Sequence, residues 1–174
     1  TLYGLFNFGK DKKVQAIRHV VRPSIGYNIN PAFDRYYDEF IIPQTADEAA
    51  QVVEYSRFEN TLYGPPNKVY SSSIGMSLSN TFEAKIRDRD TTALEPKKVT
   101  LLNNLNFSTA YNLAGDSLRW SPLQFTGSIP IVPKLDFNFS GTLDPYALDN
   151  NNKKIDVFNI DNGGSLFRLT NANV

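Results

Sequence analysis

Between Ser71 and Ile86 the chain reads SSSIGMSLSNTFEAKI. Ile74, Met76, Leu78, Phe82, Ala84 and Ile86 take even positions, while Ser71, Ser73, Gly75, Ser77, Ser79, Thr81, Glu83 and Lys85 take odd ones. Side chains of a strand alternate between two faces, so this stretch predicts one strand with an apolar side and a small, hydroxylated side that ends in charge. The pattern recurs. In 19–30, Val21, Pro23, Ile25, Tyr27 and Ile29 oppose Arg22, Ser24, Gly26, Asn28 and Asn30, with Val20 the exception. In 99–113, Val99, Leu101, Leu105, Phe107, Tyr111 and Leu113 oppose Thr100, Asn104, Asn106, Ser108, Ala110 and Asn112, and Leu102, Asn103 and Thr109 break the rule. The runs 123–131 and 135–143 repeat it through Leu123, Phe125, Ile129 and Ile131, then Leu135, Phe137, Phe139 and Leu143. With shorter runs at 2–8 and 166–174, about seven strands follow one another.

Short polar connections at 9–13 (GKDKK), 114–117 (AGDS) and 132–134 (VPK) predict a meander in which sequential strands pair. Two other connections, 31–69 and 146–164, exceed the usual loop length. Inside the first, TADEAAQVVEY at 45–55 carries a capping-box signature, Thr45 with Glu48 three residues on, and predicts a short helix. DNGG at 161–164 reads as a turn before the last strand. No fixed period recurs, so the expectation is one all-β unit over 1–174, a sheet grown strand by strand rather than a repeat array.

Strand length separates two environments. Ordinary strands run about 5–6 residues, whereas a strand of roughly 17 residues reaches about 56 Å, and about 43 Å along the axis of a barrel at a tilt near 40°. That exceeds the hydrocarbon core of a bilayer and suits a tall antiparallel up-and-down transmembrane β-barrel. A soluble sandwich would show Lys, Glu, Thr and Arg on the outer face of shorter strands. The faces here are Ser, Gly and Asn, closer to a barrel lumen. The pattern therefore favours a membrane barrel, with a soluble carbohydrate-binding β-sandwich or another outer-membrane transporter or porin as alternatives. About seven strands fall short of the eight of the smallest such barrels, so the chain is expected to supply a partial arc. The abrupt ends, TLYGLFNFGK and RLTNANV, agree with a segment of a longer polypeptide.

Composition removes competing functions. The net charge is zero and no basic run interleaves with aromatics, so no nucleic-acid partner is expected. Cysteine is absent, which removes disulfides, thiolate catalysis and cysteine-ligated zinc. No nucleophile, base and orienting group cluster, so neither enzyme activity nor a cofactor is expected. His19 is the only histidine and lies beside Arg18 and Arg22 in a packing or interfacial position. Asp149, Asn151, Asp156 and Asp161 miss the calcium-loop spacing, with Lys153 where a ligand should stand.

Assigning faces gives a lumen row of Arg22, Ser77, Ser79, Glu83, Lys85, Arg87, Asn106, Ser108, Thr126 and Asn138. The lipid-facing row is Ile25, Tyr27, Ile74, Met76, Leu78, Leu105, Phe107, Phe125, Phe137 and Phe139. Trp120, Tyr111 and Tyr70 are candidates for interfacial aromatic girdles. Glu83, Lys85 and Arg87, with Arg18 and Arg22 on a neighbouring strand, predict a cross-strand ion-pair ladder in preference to a ligand-binding charged patch. RDRDTTALEPKK at 87–98 reads as a solvated turn, and Pro23, Pro122 and Pro130 mark edges, ends or bulges. The loops 31–69 and 146–164 belong outside the cell, where long barrel loops go.

Six phrases in order sharpen this picture: GLFNFGKDKKVQAIRHVVRPSIGYNINP, RFENTLYGPP, SSSIGMSLSNTFEAKIRDRD, KKVTLLNNLNFSTAYNLAGDSLRWSPLQ, LDFNFSGTLDPYALDNNNKKID and GGSLFRLTNANV. Together they resemble the C-terminal barrel region of the LptD family, the outer-membrane lipopolysaccharide-assembly proteins, in its Bacteroidota form. The resemblance implies a place in the cell outer membrane and non-enzymatic delivery of lipopolysaccharide to the outer leaflet, in contact with outer-membrane lipid. It implies a periplasmic lipopolysaccharide-transport bridge and an LptE-like lipoprotein plug as partners. The family's jelly-roll, far C-terminus and disulfide cysteines have no counterpart in these residues, and its gate strands are expected outside this segment.

Overall fold

The computed structural model describes residues 1–9, 11–44, 49–87, 96–132 and 135–174. Its strands are β1 (Leu2–Asn7), β2 (Val14–Asn30), β3 (Tyr37–Ile42), β4 (Gln51–Ser56), β5 (Ser71–Ile86), β6 (Lys97–Asn112), β7 (Leu123–Val132), β8 (Leu135–Asp144), β9 (Tyr146–Leu148), β10 (Lys154–Phe158) and β11 (Arg168–Asn173). Seven of them form one antiparallel sheet in the order β1-β2-β5-β6-β7-β8-β11, the meander that the alternation predicts. The sheet is open, with β1 and β11 at its edges. β2, β5 and β6 are its longest members, at 17, 16 and 16 residues.

Both long connections contain structure that the sequence reading treats as loop. Within 31–69, β3 pairs with β4; within 146–164, β9 pairs with β10. The helix expected at 45–55 is overturned over its second half. Residues 45–48, with the proposed cap, lie outside the described residues, and Gln51–Ser56 is β4. β-Branched and aromatic residues decide this: Val52 and Val53 face Ile41 and Phe40, and the Phe40 and Tyr55 rings lie 5.8 Å apart. The turn expected at 87–98 is shorter than predicted, because Lys97 and Lys98 already belong to β6; residues 88–95 lie outside the described residues.

Register explains most exceptions to the alternation. Asn80 faces Leu105, Phe82 faces Leu102 and Glu83 faces Thr100, so β6 carries two extra residues over this stretch. One bulge falls at Asn103–Asn104, where Asn104 has φ 52°, a left-handed conformation that Asn tolerates better than most residues. The bulge moves Leu102 to the apolar face opposite Phe82 and leaves Leu101, expected there, unpaired and exposed. Thr109 lies on the apolar face, and its hydroxyl donates to the Ser121 carbonyl at 2.8 Å. Val20, on the polar face, is buried opposite Tyr3. The prolines sit where a missing donor is tolerated. Pro23 lies beyond Val21, the last residue of β2 that β1 reaches; Pro122 precedes β7; Pro130 adjoins a register shift.

Among the described residues no second sheet faces this one. Among the described residues the buried apolar set is Ala16, Val20, Ala84, Tyr146 and Ala147, and no large side chain is fully enclosed. Leu78 and Phe137 are 37% and 41% exposed. A sandwich would seal both against a facing sheet, whereas the two small hairpins pair strand to strand with themselves.

Local packing on the apolar face comes from reciprocal phenylalanine–glycine pairs. Phe125 faces Gly141 and Gly127 faces Phe139 across β7 and β8, with the two rings 6.4 Å apart. Each ring lies where the glycine's missing side chain would be, so a Cβ at Gly127 or Gly141 would run into it. Gly127→Ala is expected to destabilise by about 1–3 kcal/mol through overpacking, and Gly127→Ala/Phe139→Ala to recover part of it. Denaturant midpoints of the three proteins check this. Equal midpoints for single and double variants would remove the ring–glycine explanation.

Candidate functional site

The feature that can meet a ligand over a large area is the polar face. Directly opposed residues of an antiparallel pair share a face, so the register builds rows that no single strand reveals. One row runs Ser24, Ser77, Ser108, Gln124, Thr142 and Asn171 across six strands. The next runs Arg22, Ser79, Asn106, Thr126, Ser140 and Asn173. Amide and hydroxyl groups present donors and acceptors together, so apart from Arg22 these rows can hydrate or hydrogen-bond a polar molecule without selecting a charge. A concavity of about 450 Å³ opens among Asn104, Asn106, Thr126, Ser128, Asn138 and Ser140, beside the β6 bulge.

Charge gathers nearer the end where β1 turns into β2 and β5 into β6. Arg18 faces Glu83 and pairs with it at 2.6 Å, the one rung of the expected ladder that forms among the described residues. Lys85 faces Lys98, a like charge. Arg87 lies one residue beyond β5, with its N–H donating to the Lys13 carbonyl. The other nine residues of the expected lumen row share one face of the sheet, and their exposure to a lumen is a proposal. Ser24, Gln124, Ser140, Thr142, Asn171 and Asn173 extend that row and were not singled out from sequence. Alternation within 19–30 carries the signal for Ser24 and alternation within 123–131 and 135–143 for Gln124, Ser140 and Thr142, while a register shift in β11 hides it for Asn171.

All ten residues of the predicted lipid-facing row share the opposite face. A row of Tyr27, Ile74, Tyr111 and Trp120 crosses it near one end, and the Tyr111 and Trp120 rings meet edge-to-face at 5.0 Å. The Tyr111 hydroxyl accepts from Arg119, a contact that raises the guanidinium pKa above its ordinary value. Tyr70 precedes β5 and is exposed. His19 is held by packing: its ring stacks on Phe82 at 4.1 Å and Nε2 donates to Asn80 Oδ1 at 3.0 Å.

The most tightly organised cluster joins the β9–β10 hairpin to the sheet. The buried Asp144 carboxylate meets Lys154 at 2.5 Å and Arg168 at 3.6 Å and accepts the Tyr146 N–H at 3.0 Å. Arg168 Nε donates to the Tyr146 carbonyl at 2.6 Å, and the Trp120 N–H donates to the Tyr146 hydroxyl. Two of the acidic residues weighed as calcium ligands, Asp149 and Asp156, accept backbone amides instead. Asp149 accepts the amides of Asn151 and Lys153, and Asp156 accepts that of Leu118.

Residues 1–146 match the LptD protein family. The chain belongs to the LptD family. No curated protein and no solved structure matches it. Membership connects this all-β chain with lipopolysaccharide transport at the outer membrane, a lipid-transport role rather than a catalytic one. The sheet of this LptD-family chain has one apolar and one polar face.

Proposed function

We propose that this chain is an arc of a transmembrane β-barrel of the Bacteroidota LptD type, through which lipopolysaccharide reaches the outer leaflet. The observation that carries the reading is the sheet itself: Ile25, Leu78 and Phe137 stand exposed on its apolar face with no facing sheet among the described residues, while hydroxyls and amides predominate on the other face. In water, an exposed apolar surface of this extent would drive aggregation or partner binding. In a bilayer it is the surface a barrel presents to lipid, with Tyr27, Tyr111 and Trp120 at an interface. The open edges of β1 and β11 are met by further strands of the same barrel, because unpaired N–H and C=O groups in hydrocarbon cost several kcal/mol each.

In this arrangement, the polar rows line the lumen and give the saccharide part of the lipid a hydrated path. The hairpins β3–β4 and β9–β10 stand on the extracellular side, the lipoprotein plug occupies the lumen, and the periplasmic bridge delivers lipid at the opposite end. Conditional depletion of the full-length protein tests the function. The expected result is loss of surface lipopolysaccharide with its accumulation on the periplasmic side, while small-solute uptake by other porins is unchanged. Normal surface lipopolysaccharide with impaired solute uptake would instead make the protein a porin or solute transporter.

A further inference from the structure

Lys85 and Lys98 stand directly opposite one another across β5 and β6, on the polar face. Residues so placed carry Cβ atoms about 4.5–5.5 Å apart, and like charges there weaken the pairing. Their surroundings do not relieve this. Arg18 is committed to Glu83, and among the described residues that carboxylate is the only acid lining the concavity of about 140 Å³ to which Leu5, Ala16, Arg18, Glu83, Lys85 and Lys98 contribute. Among the described residues neither lysine has an ion-pair partner. The two segments that meet at this end, 9–18 and 83–98, hold nine Lys or Arg against five Asp or Glu, so a chain of zero net charge carries a local excess of cations here. The concavity is left with two uncompensated ammonium groups, converging from adjacent strands.

We propose that this concavity binds a phosphate group, with Lys85 and Lys98 as direct ligands and Arg18 held beside them by Glu83. The charge decides the class of ligand. A phosphate monoester carries about −1.5 to −2 at pH 7, which matches two ammonium groups, whereas one carboxylate would leave half of the repulsion in place. Lysine suits the role as a compact point charge with rotatable donors, and tetrahedral phosphate oxygens can meet donors from two strands at once. Bound phosphate turns an unfavourable cross-strand pair into a bridge that fixes the β5–β6 register next to its turn. The site stands on strand register and charge alone. That the phosphate is borne by a lipid in transit rests on the reading proposed above.

The test titrates the full-length protein in a zwitterionic detergent with two probes, inorganic phosphate and dodecyl phosphate, followed by phosphorus NMR line broadening. Saturable binding is expected, weakened roughly tenfold or more in Lys85→Gln/Lys98→Gln and preserved in Lys98→Arg. Lys85→Glu guards against a folding artefact: it places an acid opposite Lys98, so it should raise the thermal midpoint while abolishing phosphate binding. Similar affinities for both probes would assign a free-phosphate site, and a marked preference for dodecyl phosphate a headgroup site. Absence of saturable binding, or binding unchanged in Lys85→Glu, overturns the site and leaves the depletion test untouched. Loss of phosphate binding with normal lipopolysaccharide export would keep the site and remove it from the export route.

Discussion

Ile25→Arg in the full-length protein is expected to cost the membrane-embedded fold about 2–4 kcal/mol, although Ile25 is 76% exposed within this chain. In water that exposure predicts almost nothing, since surface substitutions away from packed features stay within about 0.5 kcal/mol. The two expectations differ because the medium differs: hydrocarbon cannot solvate a guanidinium, and water can. Leu78→Arg, on the next row of the same face, should behave alike. An arginine at Ile29, close to the end of β2, should cost about 0–1 kcal/mol, because the penalty falls towards the bilayer interface. Ser24→Arg and Ser77→Arg, on the polar face between these positions, should be nearly neutral. Denaturant unfolding of the variants folded into lipid vesicles gives the profile. Neutral Ile25→Arg and Leu78→Arg in vesicles would mean that lipid does not touch this face, and the barrel reading would fall with it.

That profile rests on a face assignment readable from the sequence, because period-two alternation records which residues share a side without any knowledge of neighbours. The same independence limits it. A bulge shifts the alternation by one residue, and in β6 the stretch between two register shifts brings Leu102 opposite Phe82 on the apolar face, where alternation alone puts Leu101. β3 went unread because its YDEFII run is only six residues long and sits between Pro31 and Pro43, in a stretch rich in polar and turn residues. In β4 a capping-box pattern competed with Val52, Val53 and Tyr55, and cross-strand contacts, which are non-local, decided between them. The proposed phosphate site is half legible in the same way: Lys85 and Arg18 stand in the charged patch that the sequence offers as the lesser alternative to an ion-pair ladder, without Lys98. Lys98 belongs to a charged stretch that reads as turn, and only the β5–β6 register brings it opposite Lys85. Candidate residues on one strand were thus legible, while pairings between strands were not.

The strongest of those non-local pairings predicts the second large effect. Asp144→Ala is expected to release the β9–β10 hairpin at a cost near the lower end of the roughly 3–5 kcal/mol seen when one partner of a buried ion pair is removed. Asp144 is 3% exposed and holds three groups together: the Lys154 ammonium from β10, the Arg168 guanidinium from β11 and the Tyr146 N–H at the start of β9. The lower end applies because the Lys154 and Arg168 side chains are about a third and a quarter exposed and can turn to solvent once the carboxylate is gone. Tyr146 should follow, since its hydroxyl accepts from the Trp120 N–H and its ring stacks on Phe158 at 5.5 Å. Asp144→Asn keeps an acceptor for the Tyr146 amide and loses the charge, so it should fall between wild type and alanine. Hydrogen exchange separates a local effect from a global one. Amides of 146–159, including Asp149 and Asn159, which donate to the Lys153 and Pro145 carbonyls, should lose protection while those of β5 and β6 keep theirs. Uniform loss across the sheet would make Asp144 a general stability residue, and unchanged exchange at Asp149 and Asn159 would mean that the hairpin is held without it, by its own pairing, the Trp120–Tyr146 and Arg168–Tyr146 hydrogen bonds and the stack on Phe158. With local release, the variant also asks whether an ordered outer hairpin matters for export: surface lipopolysaccharide should fall if the hairpin shapes the outer mouth of the barrel.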